Sequence, residues 1–385
     1  MNDPSAALQT SPLGVLKTSP LDALKTSPLD GLHRALGARM VGFAGYAMPV
    51  SYPAGILAEH RACREAAALF DVSHMGQAEL AGPDAAAALE RLVPSDITGL
   101  GPNRQRYTLL TNDAGGIEDD LMVARLGEDR LFLIVNAARK DADFARIAAH
   151  LPPGVALSPR PERALLAFQG PEALARLAPL APDLPALPFM AVAETRIAGI
   201  PALVSRSGYT GEDGVEISLP ADAAEILARR LLTLPGVLPA GLGARDLLRL
   251  EAGLCLYGQD IDEETSPIAA NLAWTIAKRR RLAWDFPGGA AIRAELAAGP
   301  ASLRVGLRLE GRAPARAGAP ILAAGEVIGR VTSGSFSPSL DAPIAIGYAA
   351  AAHARPGTKL AISVRERALP AVVTALPFIP HRYAK

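Results

Sequence analysis

The segment Gly115-Gly116-Ile117-Glu118-Asp119-Asp120 sets three carboxylates in a row directly after a Gly-Gly turn. Adjacent like charges repel, and strands disfavour aspartate. Successive side chains of a strand point to opposite faces, so Asp119 and Asp120 cannot share one environment. One can face solvent while the other faces the interior or a cleft. A carboxylate in a cleft needs a partner or shifts its pKa. A solvated cluster at the end of a turn fits the same spacing.

A second candidate is RSGYTGEDGVEI, residues 206–217. Gly208, Gly211 and Gly214 permit a tight loop. The loop then delivers Glu216 onto a strand, opposite in direction to Val215 and Ile217. The spacing is not a phosphate-binding fingerprint, and an ordinary turn carrying a surface glutamate is the alternative. The third candidate is GLGARDLLRLEAGLCLYGQDIDEETSP, residues 241–267. Arg245 and Arg249 are four apart and share a helix face, with Asp246 and Glu251 nearby. An arginine here could orient a carboxylate by a bidentate contact; a salt-bridged surface helix is the other reading. The acidic run at 260–264 has no histidine beside it, and none of the six histidines stands at metal-ligand spacing from another, so no metal site is expected. Cys63 and Cys255 sit among Ala and Leu as core residues. His74, in FDVSHM, reads as a satisfied core or supporting group. There is no GxSxG, and no GxGxxG follows a strand.

The elements that must position these residues follow from periodicity. Residues 55–69 have helical spacing, and Phe70–Leu80 reads as a strand. Asp84 is a plausible cap for the helix AAAALERLV. Strands are expected at 107–112, 117–126 and 131–136, the last apolar on both faces, followed by a helix over 138–151. A second such passage spans about 160–250, with a helix opened by Asp222 and a short helix from Arg245. From about 303, alternating Val, Ile and Leu with frequent Gly and Pro suggest a small β-barrel. Before all this, TSPLGVLK, TSPLDALK and TSPLDGLH repeat with period eight from Thr10 to His33. Each Ser-Pro interrupts a regular element. The earlier copies are expected to be loosely ordered and the last to belong to the fold. No low-complexity linker separates the units.

Composition narrows the function classes. The chain has 385 residues, half of them apolar, with 39 basic and 39 acidic side chains. The balanced charge gives no support for a nucleic-acid surface. Two cysteines are too few for a disulfide framework, so a reducing cytoplasm is the default. No apolar run approaches a membrane span, and no secretory or transit signal is legible.

Residue types alone stop at a soluble enzyme or ligand-binding protein with clustered carboxylates. Taken together and in order, however, LGARMVGFAGYAMPV, FDVSHMGQ, GGIEDDLMV, VNAARKDAD, FQGP, SGYTGEDGVEI, GLGARDLLRLEAGLCLYGQDIDEETSP and TSGSFSPSL resemble the glycine cleavage T-protein family from about residue 26 to the C-terminus. The resemblance implies an α+β, three-part, clover-like fold around a folate site. Its expected parts are an extension (1–25), a folate-binding region of two α+β units (26–300) and a β-barrel domain (301–385). It implies an aminomethyltransferase that takes an aminomethyl group from the lipoyl arm of a partner H-protein. The methylene goes to tetrahydrofolate and ammonia is released. On this resemblance Asp120 is the catalytic carboxylate, Glu216 accepts hydrogen bonds from the pterin ring, and Arg245 contacts the folate. Tyr107, Asn136 and Tyr209 match positions near the folate, and Tyr383 or Arg382 closes the site. Tyr46 stands where the family has Trp in GWxMP, which keeps an aromatic wall. Three other readings share parts of the pattern. Non-catalytic folate-binding relatives carry a KGCYxGQE-like motif, where this chain has AGLCLYGQDIDE. A flavin-dependent fused oxidase needs a dinucleotide-binding domain that is not legible here. A freestanding folate-dependent demethylase could share most of the motifs.

Overall fold

The computed structural model describes residues 21–365 and 367–384. The first repeat copy and the start of the second, with the loose order expected of them, lie outside the described residues. The last copy is part of the fold. Lys25 and Thr26 pair in parallel with Tyr46 and Ala47, and Leu29 and Leu32 are buried in a lobe core around the helix Asp30–Ala35. His33, which ends the copy, is buried between the Asp71 carboxylate at 2.8 Å and the Tyr52 hydroxyl at 2.9 Å.

Three lobes each have their own apolar core. The first is a five-stranded antiparallel sheet, ordered Arg104–Thr111, Ile117–Gly127, Arg130–Val135, Gly76–Ala81 and Ala156–Pro159. The second is a six-stranded sheet, ordered Val192–Ile197, Ile200–Ser205, Gly214–Pro220, Arg163–Gln169, Ala67–Asp71 and Val237–Pro239. Its helix Ala221–Leu232 buries Ala224, Leu227, Ala228 and Leu231, the i, i+3, i+4, i+7 stripe of an amphipathic helix. The third lobe is a closed barrel of six strands from Ser302 to Thr374. Closure removes the exposed edges that short antiparallel strands would otherwise present.

Several local expectations change. The helix expected over 55–69 is Ile56–Glu65, because Ala67–Asp71 is a strand. Leu69 pairs with Phe168 on one side and Pro239 on the other. An Ala-rich run fits helix or buried strand by pattern alone, and the sheet partners decide. The single strand expected at 70–80 is two strands in different lobes, and the chain crosses between them at Val72–Met75. Asp84 precedes the helix Ala85–Glu90, but its φ is 60° and its side chain makes no capping bond. The helix over 221–232 starts one residue before Asp222, after Pro220.

The helix Leu242–Glu251 is not a surface helix: nine of its ten residues are buried. It joins the sheets to the barrel through buried ions. Arg249 meets Asp246 at 2.8 Å, Asp260 at 2.5 Å and the Ser333 hydroxyl at 2.8 Å. Glu251 accepts from His60 at 2.9 Å, Arg64 at 2.7 Å and Ser337 at 2.5 Å. Burial opposes ionisation of Glu251, but these partners outweigh it and hold its pKa at about 2. A carboxylate depressed below its ordinary value of 4.5 stabilises the fold above pH 4.5 and loses that contribution as pH falls toward 2. The urea midpoint should therefore fall as pH drops below about 4.5, and Glu251→Gln should flatten that fall. An unchanged slope in the variant would refute the assignment.

Candidate active site

A cavity of about 1010 Å³ lies where the three lobes meet. Asp120 reaches it by strand alternation. On Ile117–Gly127 the residues Ile117, Asp119 and Leu121 are buried while Glu118, Asp120 and Met122 face the other way. Neither aspartate of the pair points to bulk solvent, as the simplest sequence reading allowed: Asp119 is in the interior and Asp120 lines the cavity. The turn before them needs Gly116. A Cβ there would sit 1.8 Å from the Glu263 carbonyl oxygen, in the loop whose Asp262 and Thr265 carbonyls accept from the Ile117 N–H.

Asp120 is held from two sides. Asn136 Nδ2 donates to its Oδ1 at 2.8 Å, and the Tyr107 hydroxyl hydrogen-bonds to it. Burial, with the neighbouring Asp119 second, pushes the Asp120 carboxyl up to about 7. A carboxyl poised there can take or give a proton at neutral pH. Burial, with the charge of Asp120 next, raises the Tyr107 phenol well above its usual value. It is therefore a neutral donor toward the carboxylate.

Glu216 enters from the neighbouring lobe with Val215 and Ile217 buried on either side. Ser207 donates to its Oε2 at 3.2 Å. Burial raises its pKa, and the Arg245 charge works against that rise. Arg245, on the central helix, lies over the Tyr209 ring at 4.8 Å. Among the described residues its Nη1 is buried without a hydrogen-bond partner. A buried guanidinium with an unused donor at a cavity wall is prepared for a ligand acceptor. Tyr209 is fixed by its hydroxyl, which donates to the Cys255 carbonyl. Asp120, Glu216, Arg245, Tyr107, Asn136 and Tyr209 thus all line one cavity. Tyr383 joins them and stacks on Phe189 at 4.4 Å. Arg382 does not line the cavity. It donates to Glu212 at 2.5 Å and to the Arg64 carbonyl at 2.8 Å, which anchors the tail that carries Tyr383.

Sequence reasoning missed Trp274, which stacks on Tyr107 with ring centroids 5.5 Å apart and stands 64% exposed at the cavity wall. It lies in the 3-10 helix Ala273–Thr275, too short for periodicity to mark a facing, and only its rarity as one of two tryptophans could have drawn notice. His74 is buried against the Phe43 ring at the cavity wall, and its Nδ1 has no hydrogen-bond partner among the described residues. Burial lowers its pKa to about 4, and it is neutral at physiological pH. Cys63 and Cys255 are buried free thiols, each pushed up to about 12 by burial. Neither is a nucleophile at neutral pH.

The same arrangement of lobes is found in known proteins. A family model described as the GCVT N-terminal domain matches residues 29–280, and one described as the glycine cleavage T-protein C-terminal barrel domain matches residues 303–379. The chain belongs to the glycine cleavage T-protein family of aminomethyltransferases. It is 50% identical to the mitochondrial aminomethyltransferase of Gallus gallus, over 91% of this chain and 92% of that one. It is 46% identical to the aminomethyltransferase of Synechococcus elongatus, over 89% and 92%. The crystal structure of glycine cleavage system aminomethyltransferase T from Bartonella henselae matches with a TM-score of 0.89 at 42% identity, covering 94% of this chain and all of that one. The first family match spans the sheets that carry Asp120 and Glu216, and the second spans the barrel.

Proposed function

We propose that this enzyme transfers the methylene of an aminomethyl group, carried on the lipoyl arm of H-protein, to tetrahydrofolate; its bonds to sulfur and to nitrogen break, ammonia is released, and the lipoyl arm stays on H-protein as the reduced dithiol. The observation that carries the reading is a single cavity carboxyl, Asp120, raised to about 7 and oriented by Asn136 and Tyr107. The folate supplies the nucleophilic nitrogen that receives the methylene. Asp120 hydrogen-bonds that nitrogen and takes its proton as the new bond forms. The residues present fit a flat heterocycle with an acidic tail. Glu216 accepts parallel bonds from pterin N–H groups, Arg245 offers its free Nη1 to an anionic or carbonyl oxygen, and Tyr107, Tyr209 and Tyr383 supply ring faces. No described helix is long and apolar enough to cross a membrane. The two free thiols suit a reducing compartment, and the cytoplasm is the proposed location.

The test is ammonia release from aminomethylated H-protein with and without tetrahydrofolate. Folate-stimulated release supports the assignment, and release indifferent to folate refutes it. For the binding role, Glu216→Gln should weaken tetrahydrofolate affinity by about ten- to a hundredfold, since a charge-assisted pair becomes a neutral one. Unchanged affinity by calorimetry would remove Glu216 from the pterin edge.

A further inference from the structure

The barrel sends one buried cation toward the central cavity. On the strand Ser302–Leu309, Val305, Leu307 and Leu309 fill the barrel core. Alternation turns Arg304 the other way, and it lines the cavity at 7% exposure. The residue is held on four sides. Its N–H donates to the Ala269 carbonyl at 2.8 Å, and its carbonyl accepts from Asn271 Nδ2 at 2.6 Å. Its Nε donates to the Ala270 carbonyl at 2.8 Å, and its Nη1 to the Gly253 carbonyl at 2.9 Å. Among the described residues Nη2 makes no hydrogen bond and no carboxylate pairs with the guanidinium. Asp260 acts on it through space, but the Asp260 oxygens are taken. Oδ2 binds Arg249 at 2.5 Å, and Oδ1 accepts from Thr332 at 2.5 Å and Ser333 at 2.8 Å. The other titratable groups facing Arg304 are Cys255, Tyr348 and Tyr107. Burial raises all three, so they are neutral at physiological pH. A buried guanidinium without a counter-ion, with an unused donor at a cavity wall, favours negative charge inside the cavity.

We propose that Arg304 is a catalytic residue that stabilises the thiolate formed as the aminomethyl carbon leaves the lipoyl sulfur. This rests on the reaction proposed above. The carbon–sulfur bond breaks with its electron pair passing to sulfur. The folate nitrogen bonds the same carbon and gives its proton to Asp120, and the thiolate finally takes up that proton. The proton of the second folate N–H leaves with the ammonia, so no oxidant or reductant is consumed. An alkyl thiol is mostly protonated at neutral pH, which makes unaided sulfur a poor leaving group. A fixed donor aimed at the developing charge removes that obstacle. Charge also orients the substrate. Asp120 enters the cavity from the first sheet and Arg304 from the barrel. The amino end of the S–C–N unit is drawn to the carboxylate and the sulfur end to the guanidinium.

Dihydrolipoamide is a probe that needs no turnover. At pH 8 the free dithiol is mostly protonated, so binding it as a thiolate releases a proton. Calorimetry on the full chain, in buffers of different ionisation enthalpy, counts that proton. Wild type should release most of one proton and Arg304→Met almost none, with tetrahydrofolate affinity within about threefold of wild type. Binding without proton release in wild type, or no binding, would overturn the proposal even if no variant folds. Weakened tetrahydrofolate binding with unchanged proton release would place Arg304 on the acidic tail of the folate and also overturn it. In turnover, Arg304→Met should lose about a hundred- to a thousandfold in kcat, the cost of one donor to a developing anion. Arg304→Lys keeps the charge but cannot clamp both carbonyls, and it should regain at least about tenfold of that loss. Equal losses in the two variants would make Arg304 a staple between barrel and loop, and nothing more. If the proton is released but tetrahydrofolate does not stimulate ammonia release, the thiolate site stands and the proposed reaction is what fails.

Discussion

Asp120→Asn should lower methylene transfer by about a hundred- to ten-thousandfold, the range for losing a positioned proton-transfer group. The amide keeps the shape of the carboxylate, and its oxygen can still accept from Asn136 Nδ2. What disappears is the ability to take a proton. Folate binding should change much less, because Glu216 and Arg245 hold other parts of the cavity. Stability should be unchanged or slightly higher. Burial and Asp119 both disfavour the ionised Asp120, so the wild-type fold bears a cost that the amide removes. Single-turnover ammonia release, calorimetry and urea unfolding on one preparation would separate these effects. Wild-type-like turnover in this variant or in Asp120→Ala would sink the role of Asp120.

Arg249→Met should give the largest loss of stability from one side chain, about 3–5 kcal/mol, the usual cost of breaking a buried ion pair from one side. Arg249 is 1% exposed and its guanidinium is the common partner of Asp246 and Asp260. Methionine fills much of the volume but leaves both carboxylates without their cation. Burial already works to raise Asp246, and the Arg249 charge is the first force holding it down. The same guanidinium reaches Ser333 in the barrel, so the barrel should loosen from the central helix before the sheets unfold. Limited proteolysis should then cut between about residue 255 and 300 more readily. The contrast is Arg312→Ala: Arg312 and Asp341 are both about three-quarters exposed and 3.2 Å apart, and that change should stay within about 0.5 kcal/mol. A urea midpoint for Arg249→Met equal to wild type would show that the central ion cluster does not hold the lobes together.

The central cavity divides the two arginines of the GLGARDLLRLEAG helix. Arg245 and Arg249 share a face at i, i+4, yet they do different work. One turn separates an arginine whose Nη1 is unused at the cavity from one saturated by two carboxylates and a serine. The partners of Arg249 come from residues 260 and 333, and no local pattern announces them.

Sequence by itself determined what depends on neighbours along the chain. Strand alternation was enough to separate Asp119 from Asp120 and to turn Glu216 away from Val215 and Ile217. The barrel was legible after about residue 303, and the last TSPL copy was legible as part of the fold. The order of long motifs pointed to the family. Only the tertiary structure decided which aspartate faces the cavity, because both faces of that strand are covered. Contacts between distant segments also split 70–80 between two sheets, buried the central helix, and set Tyr383 in the cavity while Arg382 anchors the tail. A residue's facing within one element is fixed by backbone geometry, whereas what it faces is set by segments far away in the chain, through packing and ion pairing that leave no periodic trace in the sequence.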